Sequence, residues 1–276
     1  MLDNIVAFER PTNITEAFAA IANGAVPVSG GTDVILHRRR SPTTLVDLTG
    51  LPLAGISRVE NNIVVGATTT MTEMLHHAET AAVANGVIAQ MLREVGSPLL
   101  RNVATIGGHV ARGRLSDVIP VLLALDSTIQ FHDGSDKSES LAGFYAREGH
   151  REPLIVTGVT IPVPQAGSAA AFRKFSRTRF DLAILNAACR VDLDGETVSA
   201  ARIVVGETPA LGASLAACEA SLVGGPLDES AIERCATVAA SAVPARDDDR
   251  ASAEYRRTLG AVLVRRCLRD AAGRLR

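Results

Sequence analysis

The residues with the clearest chemical potential are two glycine pairs. Ser29-Gly30-Gly31-Thr32-Asp33 directly follows the apolar run AVPV, and Thr105-Ile106-Gly107-Gly108-His109 lies inside a long stretch of glycine and small polar residues. Paired glycines reach positive φ at little cost and let successive backbone N–H groups converge, which makes an anion-binding nest. Ser29, Thr32 and Thr105 add hydroxyl donors suited to phosphate oxygens. Two such turns meeting at one ligand would suit a diphosphate-bridged dinucleotide. A single Gly-Gly after a strand is more often just a tight turn, so each alone says little. Neither GxGxxG nor GxxxxGK[ST] occurs, so a dinucleotide would have to bind by an arrangement other than the Rossmann or P-loop one. Ser116-Asp117, at the end of the second stretch, offers groups for ribityl or ribose hydroxyls. Asp117 is equally well placed as the N-cap of a helix over VIPVLLAL.

Other candidates carry less. His76-His77 lacks the i, i+4 spacing of a helical metal site. The basic run His37, Arg38, Arg39, Arg40 reads as solvated surface, and Asp247-Asp248-Asp249 as a solvated loop that caps the last helix. Cys189, Cys218, Cys235 and Cys267 are widely spaced with no CxxC, which points to reduced, partly buried thiols rather than zinc or iron–sulfur ligands. No metal site, no nucleophile–base pairing and no acid–base catalytic residue is expected in this chain.

The elements that must position these turns follow from composition and pattern. The chain has 276 residues, 47% hydrophobic and 21% charged, a folded composition long enough for two domains at about 150 residues each. Lys plus Arg is 28 against 30 Asp plus Glu, a net charge of -2 that disfavours nucleic-acid binding. No apolar run approaches the ~20 residues of a membrane span, and the N-terminus lacks a basic-then-apolar signal, so a cytoplasmic protein is expected. Residues 13–23 predict an amphipathic helix, followed by strands over AVPV, TTLVDLTGL and NNIVVGATTT. Residues 71–96 have helical spacing with a weak point at Asn85-Gly86, and 97–117 read as one polar loop. A domain boundary is expected at 162–168. Beyond it, Asp194-Gly195 between two apolar runs signals a hairpin, and 228–242 and 251–272 predict helices, an α+β arrangement.

Taken together, SGGTDVIL, VDLTGL, IVVGATTTMTEML, VGSPLLRNVATIGGH, SDVIPVLLALD, VTIPVP, KFSRTRFDLAILNAA and RASAEYRRTLGAVLVRRCL stand in the order seen in FAD-binding medium subunits of molybdenum hydroxylases. The chain resembles those of the xanthine dehydrogenase and aerobic carbon monoxide dehydrogenase type along nearly its whole length. The resemblance implies an α+β fold: an FAD-binding domain over 1–165, of the vanillyl-alcohol-oxidase-like type, with subdomains of about 1–52 and 53–165. A smaller C-terminal domain over 168–276 would carry an antiparallel sheet with helices. FAD would be held by Val28, Ser29, Gly30, Gly31, Thr32 and Asp33 on one turn and by Ala104, Thr105, Gly107, Gly108 and His109 on the other. Gly96 would be a further backbone neighbour, Ser116 and Asp117 would contact the ribityl or adenosine portion, and Lys174 would reach toward the flavin. The alternative for Lys174 is a surface salt bridge.

The implied activity is electron transfer through FAD to an external acceptor. Partners would be a molybdenum-cofactor large subunit and a small 2Fe-2S subunit. A stand-alone FAD oxidoreductase acting on its own substrate is the competing reading, and a scaffold without FAD a third that the intact turns argue against. Three departures from the family pattern stand out. His109 replaces an Asn, Arg112 and Arg114 replace small residues and would either strengthen diphosphate binding or face solvent, and Leu182 stands where some members have a tyrosine beside the isoalloxazine ring.

Overall fold

The computed structural model describes residues 4–36, 43–147, 152–209 and 211–275; the basic run 37–40 lies outside the described residues. In chain order the elements begin with β1 (Ile5–Glu9), α1 (Ile14–Ala22), β2 (Val26–Val28), β3 (Thr43–Asp47), β4 (Ile56–Val59), β5 (Asn62–Gly66) and α2 (Met71–His76). Next come α3 (Ala78–Leu92), α4 (Pro98–Arg101), α5 (Ile106–Arg112), α6 (Val118–Ala124), β6 (Thr128–His132), β7 (Asp136–Ser140), α7 (Leu141–Ala146) and β8 (Ile155–Pro162). The chain continues through β9 (Ser168–Phe175), β10 (Leu185–Asp194), β11 (Thr197–Gly206), β12 (Ala213–Ser214), α8 (Ala216–Ala220), α9 (Glu229–Ala242) and α10 (Ala253–Leu275). The chain packs as two compact units. The first holds Met1–His77, Ser97–Arg112 and Ser127–Ile161, and the second holds Ala78–Gly96, Gly113–Asp126 and Pro162–Arg276.

In the first unit, α1 starts where the Asn13 side chain accepts the Glu16 N–H at 2.9 Å. The Glu16 carboxylate accepts from Thr12 in return, which holds it below the usual Glu range. The helix buries Ala17 and Ile21 against Val46, Leu48 and Leu51 beside a parallel sheet ordered β1-β3-β2. A five-stranded sheet ordered β4-β5-β8-β6-β7 makes up the rest of the strand structure. Residues 97–112 are not one loop. Ser97 caps α4 with Pro98 in its first turn, and Thr105 Oγ1 accepts the Gly108 N–H at 3.3 Å to open α5. Glycine weakens helices, so propensity hides α5, in which Gly107 lets the helix pack closely against Ala67.

In the second unit the weak point at Asn85-Gly86 is a break inside α3, with Ala84, Asn85 and Gly86 all at positive φ. The four-stranded antiparallel sheet is ordered β12-β11-β10-β9. Its β10–β11 hairpin turns through Gly195-Glu196, with Gly195 at φ +59 and Asp194 opposite Thr197. Helices α9 and α10 cover one face, and all four cysteines are free and buried there. The acidic loop is more than a solvated cap. Asp247 does accept the Ala253 N–H at 2.8 Å, but Asp248 pairs through both oxygens with Arg256, which is 1% exposed. Arg256 also donates to the carbonyls of Ile184 and Arg246, so it ties α10 to the start of β10. Among the described residues no helix is long and apolar enough to cross a membrane.

Candidate functional site

The chain leaves β2 through the turn at 29–33. Gly30 is required by the backbone itself, because a Cβ there would lie 1.7 Å from the Val103 carbonyl oxygen. Gly31 takes φ +69, the left-handed region that favours glycine. The N–H groups of Gly30, Gly31 and Thr32 meet no acceptor among the described residues. Ser29 Oγ is buried without a hydrogen-bond partner. Buried polar groups in folded proteins are nearly always paired, so the Ser29 hydroxyl, with three N–H groups of half-buried residues beside it, marks a place for an acceptor from outside the chain.

The second turn forms the opposite wall. Thr105, Gly108, His109 and Arg112 line, with residues 29–33, a cleft of about 260 Å³. Gly107 faces the protein instead. Its N–H donates to the Ala67 carbonyl at 2.8 Å, and a Cβ on it would sit 2.7 Å from Ala67 Cβ. Ala104 likewise accepts the Met71 N–H through its carbonyl at 2.9 Å, and buried Val28 accepts from Leu48. These three residues therefore frame the cleft without lining it. His109 is half-buried, and its pKa is down to about 4, first because of withdrawal from water and then because of the Arg112 charge. It is a neutral imidazole near pH 7. Arg112 Nη1 lies 2.6 Å from Asp33 Oδ1, an ion pair that joins the two walls.

Gly96, Ser116, Asp117 and Lys174 belong to the second unit. Asp117 does not cap α6: Ser116 Oγ takes the Val118 N–H at 3.2 Å instead. The Asp117 carboxylate accepts from Lys174 Nζ at 2.8 Å and from Asn186 Nδ2 at 2.7 Å. Lys174 also donates to the Glu94 carbonyl, and its side chain is 3% exposed, so this is not a surface pair. Burial pushes the Asp117 carboxyl up, with Lys174 and Asn186 opposing it. Asn186 escaped the sequence reading; its one signal is an amide inside the apolar run AILNAAC. Gly96 takes φ +48. Leu182 is 45% exposed, while Tyr145 is held in the first unit with its hydroxyl donating to Val110.

Comparison with known proteins gives these sites a family. Residues 4–164 match the FAD binding domain in molybdopterin dehydrogenase, and residues 170–271 match the CO dehydrogenase flavoprotein C-terminal domain. The chain is 28% identical to the carbon monoxide dehydrogenase medium chain of Afipia carboxidovorans, covering 99% of each. It is 31% identical to the 6-hydroxypseudooxynicotine dehydrogenase complex subunit alpha of Paenarthrobacter nicotinovorans, covering 96% of this chain and 93% of that one. Among solved structures it is similar to a chain of the reconstituted CO dehydrogenase from Oligotropha carboxidovorans, with a TM-score of 0.89, 25% identity and 98% of each chain covered. The chain belongs to the FAD-binding medium subunits of the carbon monoxide dehydrogenase and xanthine dehydrogenase family. It is thus an FAD-dependent oxidoreductase subunit of the molybdenum hydroxylase type, with FAD as its cofactor. The residues present fit that group, since the turn at 29–33 holds unpaired N–H donors and an unpaired buried hydroxyl at a cleft.

Proposed function

We propose that the FAD diphosphate occupies the cleft between residues 29–33 and 105–112. Ser29, Gly30, Gly31 and Thr32 would donate to it, with Thr105, Gly108 and His109 opposite and Val28, Ala104 and Gly107 as the frame. The unpaired N–H groups of Gly30, Gly31 and Thr32 are the observation that carries this reading. Gly96, Ser116, Asp117 and Lys174 complete the FAD contacts, and residues 1–165 and 168–276 act as the flavin domain and the C-terminal domain. Bound FAD supplies the redox chemistry, while the chain's own residues hold and orient it. A neutral His109 donates a hydrogen bond without adding charge, and the Lys174 ammonium favours negative charge in its vicinity.

The chain works in the cytoplasm beside a molybdenum-cofactor large subunit and a small 2Fe-2S subunit. It receives electrons from the latter and passes them to an external acceptor. The names of its relatives, a medium chain and a complex subunit, support this arrangement. Anaerobic mixing tests it. The visible flavin band of the purified chain should bleach only when both partners and the large subunit's substrate are present. Bleaching by a small molecule with the chain alone would favour a self-sufficient oxidoreductase.

A further inference from the structure

Asp33 poses an electrostatic problem in this cleft. A carboxylate lining a diphosphate site repels its ligand unless a cation stands between them. Among the described residues that line the cleft, Asp33 and Arg112 carry the only formal charges near pH 7. Their side chains are 39% and 28% exposed, so both are partly withdrawn from solvent screening. Among the described residues Arg112 has one ion pair, with its Nη1 at 2.6 Å from Asp33 Oδ1. A guanidinium presents five N–H donors in a planar fork that matches phosphate oxygens, more than a single carboxylate can take up. Arg112 closes α5 on one wall and Asp33 ends the turn on the other, so the pair holds the fork at the cleft rather than letting it extend into water.

We propose that Arg112 is the cation that faces the FAD diphosphate, and that Asp33 is the positioning residue that aims it. Asp33 then contributes to cofactor binding through Arg112 and not by touching phosphate. The inference rests on the diphosphate occupying this cleft. It also gives the arginine that replaces a small residue a specific task.

The test is titration of the apo chain with FAD, followed by flavin fluorescence at low salt and at about 1 M salt, where charge pairs are largely screened. Arg112→Gln should bind FAD about tenfold or more weakly at low salt, with the gap closing at high salt, and Arg112→Lys should recover part of the loss. Asp33→Asn should weaken binding in the wild-type background, whereas in Arg112→Gln it should recover part of the loss by removing an unscreened carboxylate. Apo melting temperatures check that each variant folds. Thr32→Glu, a carboxylate placed in the same cleft, tests the reading beneath. If Thr32→Glu abolishes binding while Arg112→Gln matches wild type, this inference alone falls. If Thr32→Glu binds normally, the cleft assignment falls and takes the inference with it. Should Arg112→Gln fail to fold, the wild-type salt dependence decides, because an affinity indifferent to salt would overturn the proposal.

Discussion

Lys174 and Asn186 stand directly opposite each other on β9 and β10, and both reach the same Asp117 carboxylate, at 2.8 and 2.7 Å. Gly206 is next in the row on β11, and a Cβ there would sit 2.1 Å from Asn186 Oδ1. Three strands thus contribute a cation, an amide and a gap, and the carboxylate just before α6 fills the arrangement. A buried charge without its partner is costly, so the row orders a stretch of chain that the family resemblance assigns to the cofactor.

Lys174→Met should destabilise the fold by about 3–5 kcal/mol in urea unfolding, because it strands a buried carboxylate. Burial already pushes Asp117 up, and the variant removes the ammonium that opposes this. The native state then binds a proton that the unfolded state has released, so stability should fall as pH rises above the ordinary Asp range. Adding Asp117→Asn should restore most of the loss. A single variant as stable as wild type at pH 7 would show that the pair is not the anchor.

His109 gives the opposite pH dependence. With a native pKa of about 4 against an ordinary 6.5, the unfolded state takes up a proton first as pH falls. The apo chain should therefore lose roughly 2–3 kcal/mol between about pH 7 and pH 4, and His109→Asn should flatten that slope. Urea midpoints at several pH values, with the imidazole titration followed by NMR, check both statements.

Glycine at 30 and glycine at 108 should respond differently to alanine. Gly30→Ala drives a Cβ into the Val103 carbonyl and should cost about 1–3 kcal/mol while emptying the FAD site. Gly108→Ala meets only Thr105 Oγ1, at 3.2 Å, and should retain FAD with a small shift in melting temperature. FAD content after gel filtration and thermal melts of both variants decide the matter. Equal behaviour of the two would remove the steric account of Gly30.

Asp248→Asn should lower stability by about 3–5 kcal/mol, since Arg256 is then left buried with half its pairing gone. The Arg256 guanidinium holds the Asp248 carboxyl well below the usual range. Wild-type stability from this pair is present above the ordinary Asp pKa and is lost as pH falls through the native one. The variant should lack that acid-side loss when the two are compared by denaturation below pH 4.

These cases show what a linear reading can reach. The glycine pair at 30–31 announces a turn with free donors, and Asp194-Gly195 announces a hairpin, because both depend on backbone properties of neighbouring residues; the pair at 107–108 opens a helix instead, its N–H groups donating to Ala67 and Thr105. The purposes of Gly30 and Gly107 were not legible, since what they accommodate, Val103 and Ala67, lies far along the chain. Asp117 read equally as a ribose contact or a helix cap for the same reason: Lys174 and Asn186 reach it from 57 and 69 residues away. Asp248 read as solvated because nothing in the run Asp247-Asp248-Asp249 names a partner; Arg256 lies on α10 and only tertiary packing buries it.

The central claim is that the FAD diphosphate lies against residues 29–33. The most direct measurement is the visible absorption spectrum of the purified chain and of Thr32→Glu, with the cofactor released by denaturation identified and counted. The wild type should carry one FAD per chain, and the variant should be colourless yet melt like the wild-type apo chain. A Thr32→Glu protein that still holds FAD at full occupancy would contradict the assignment.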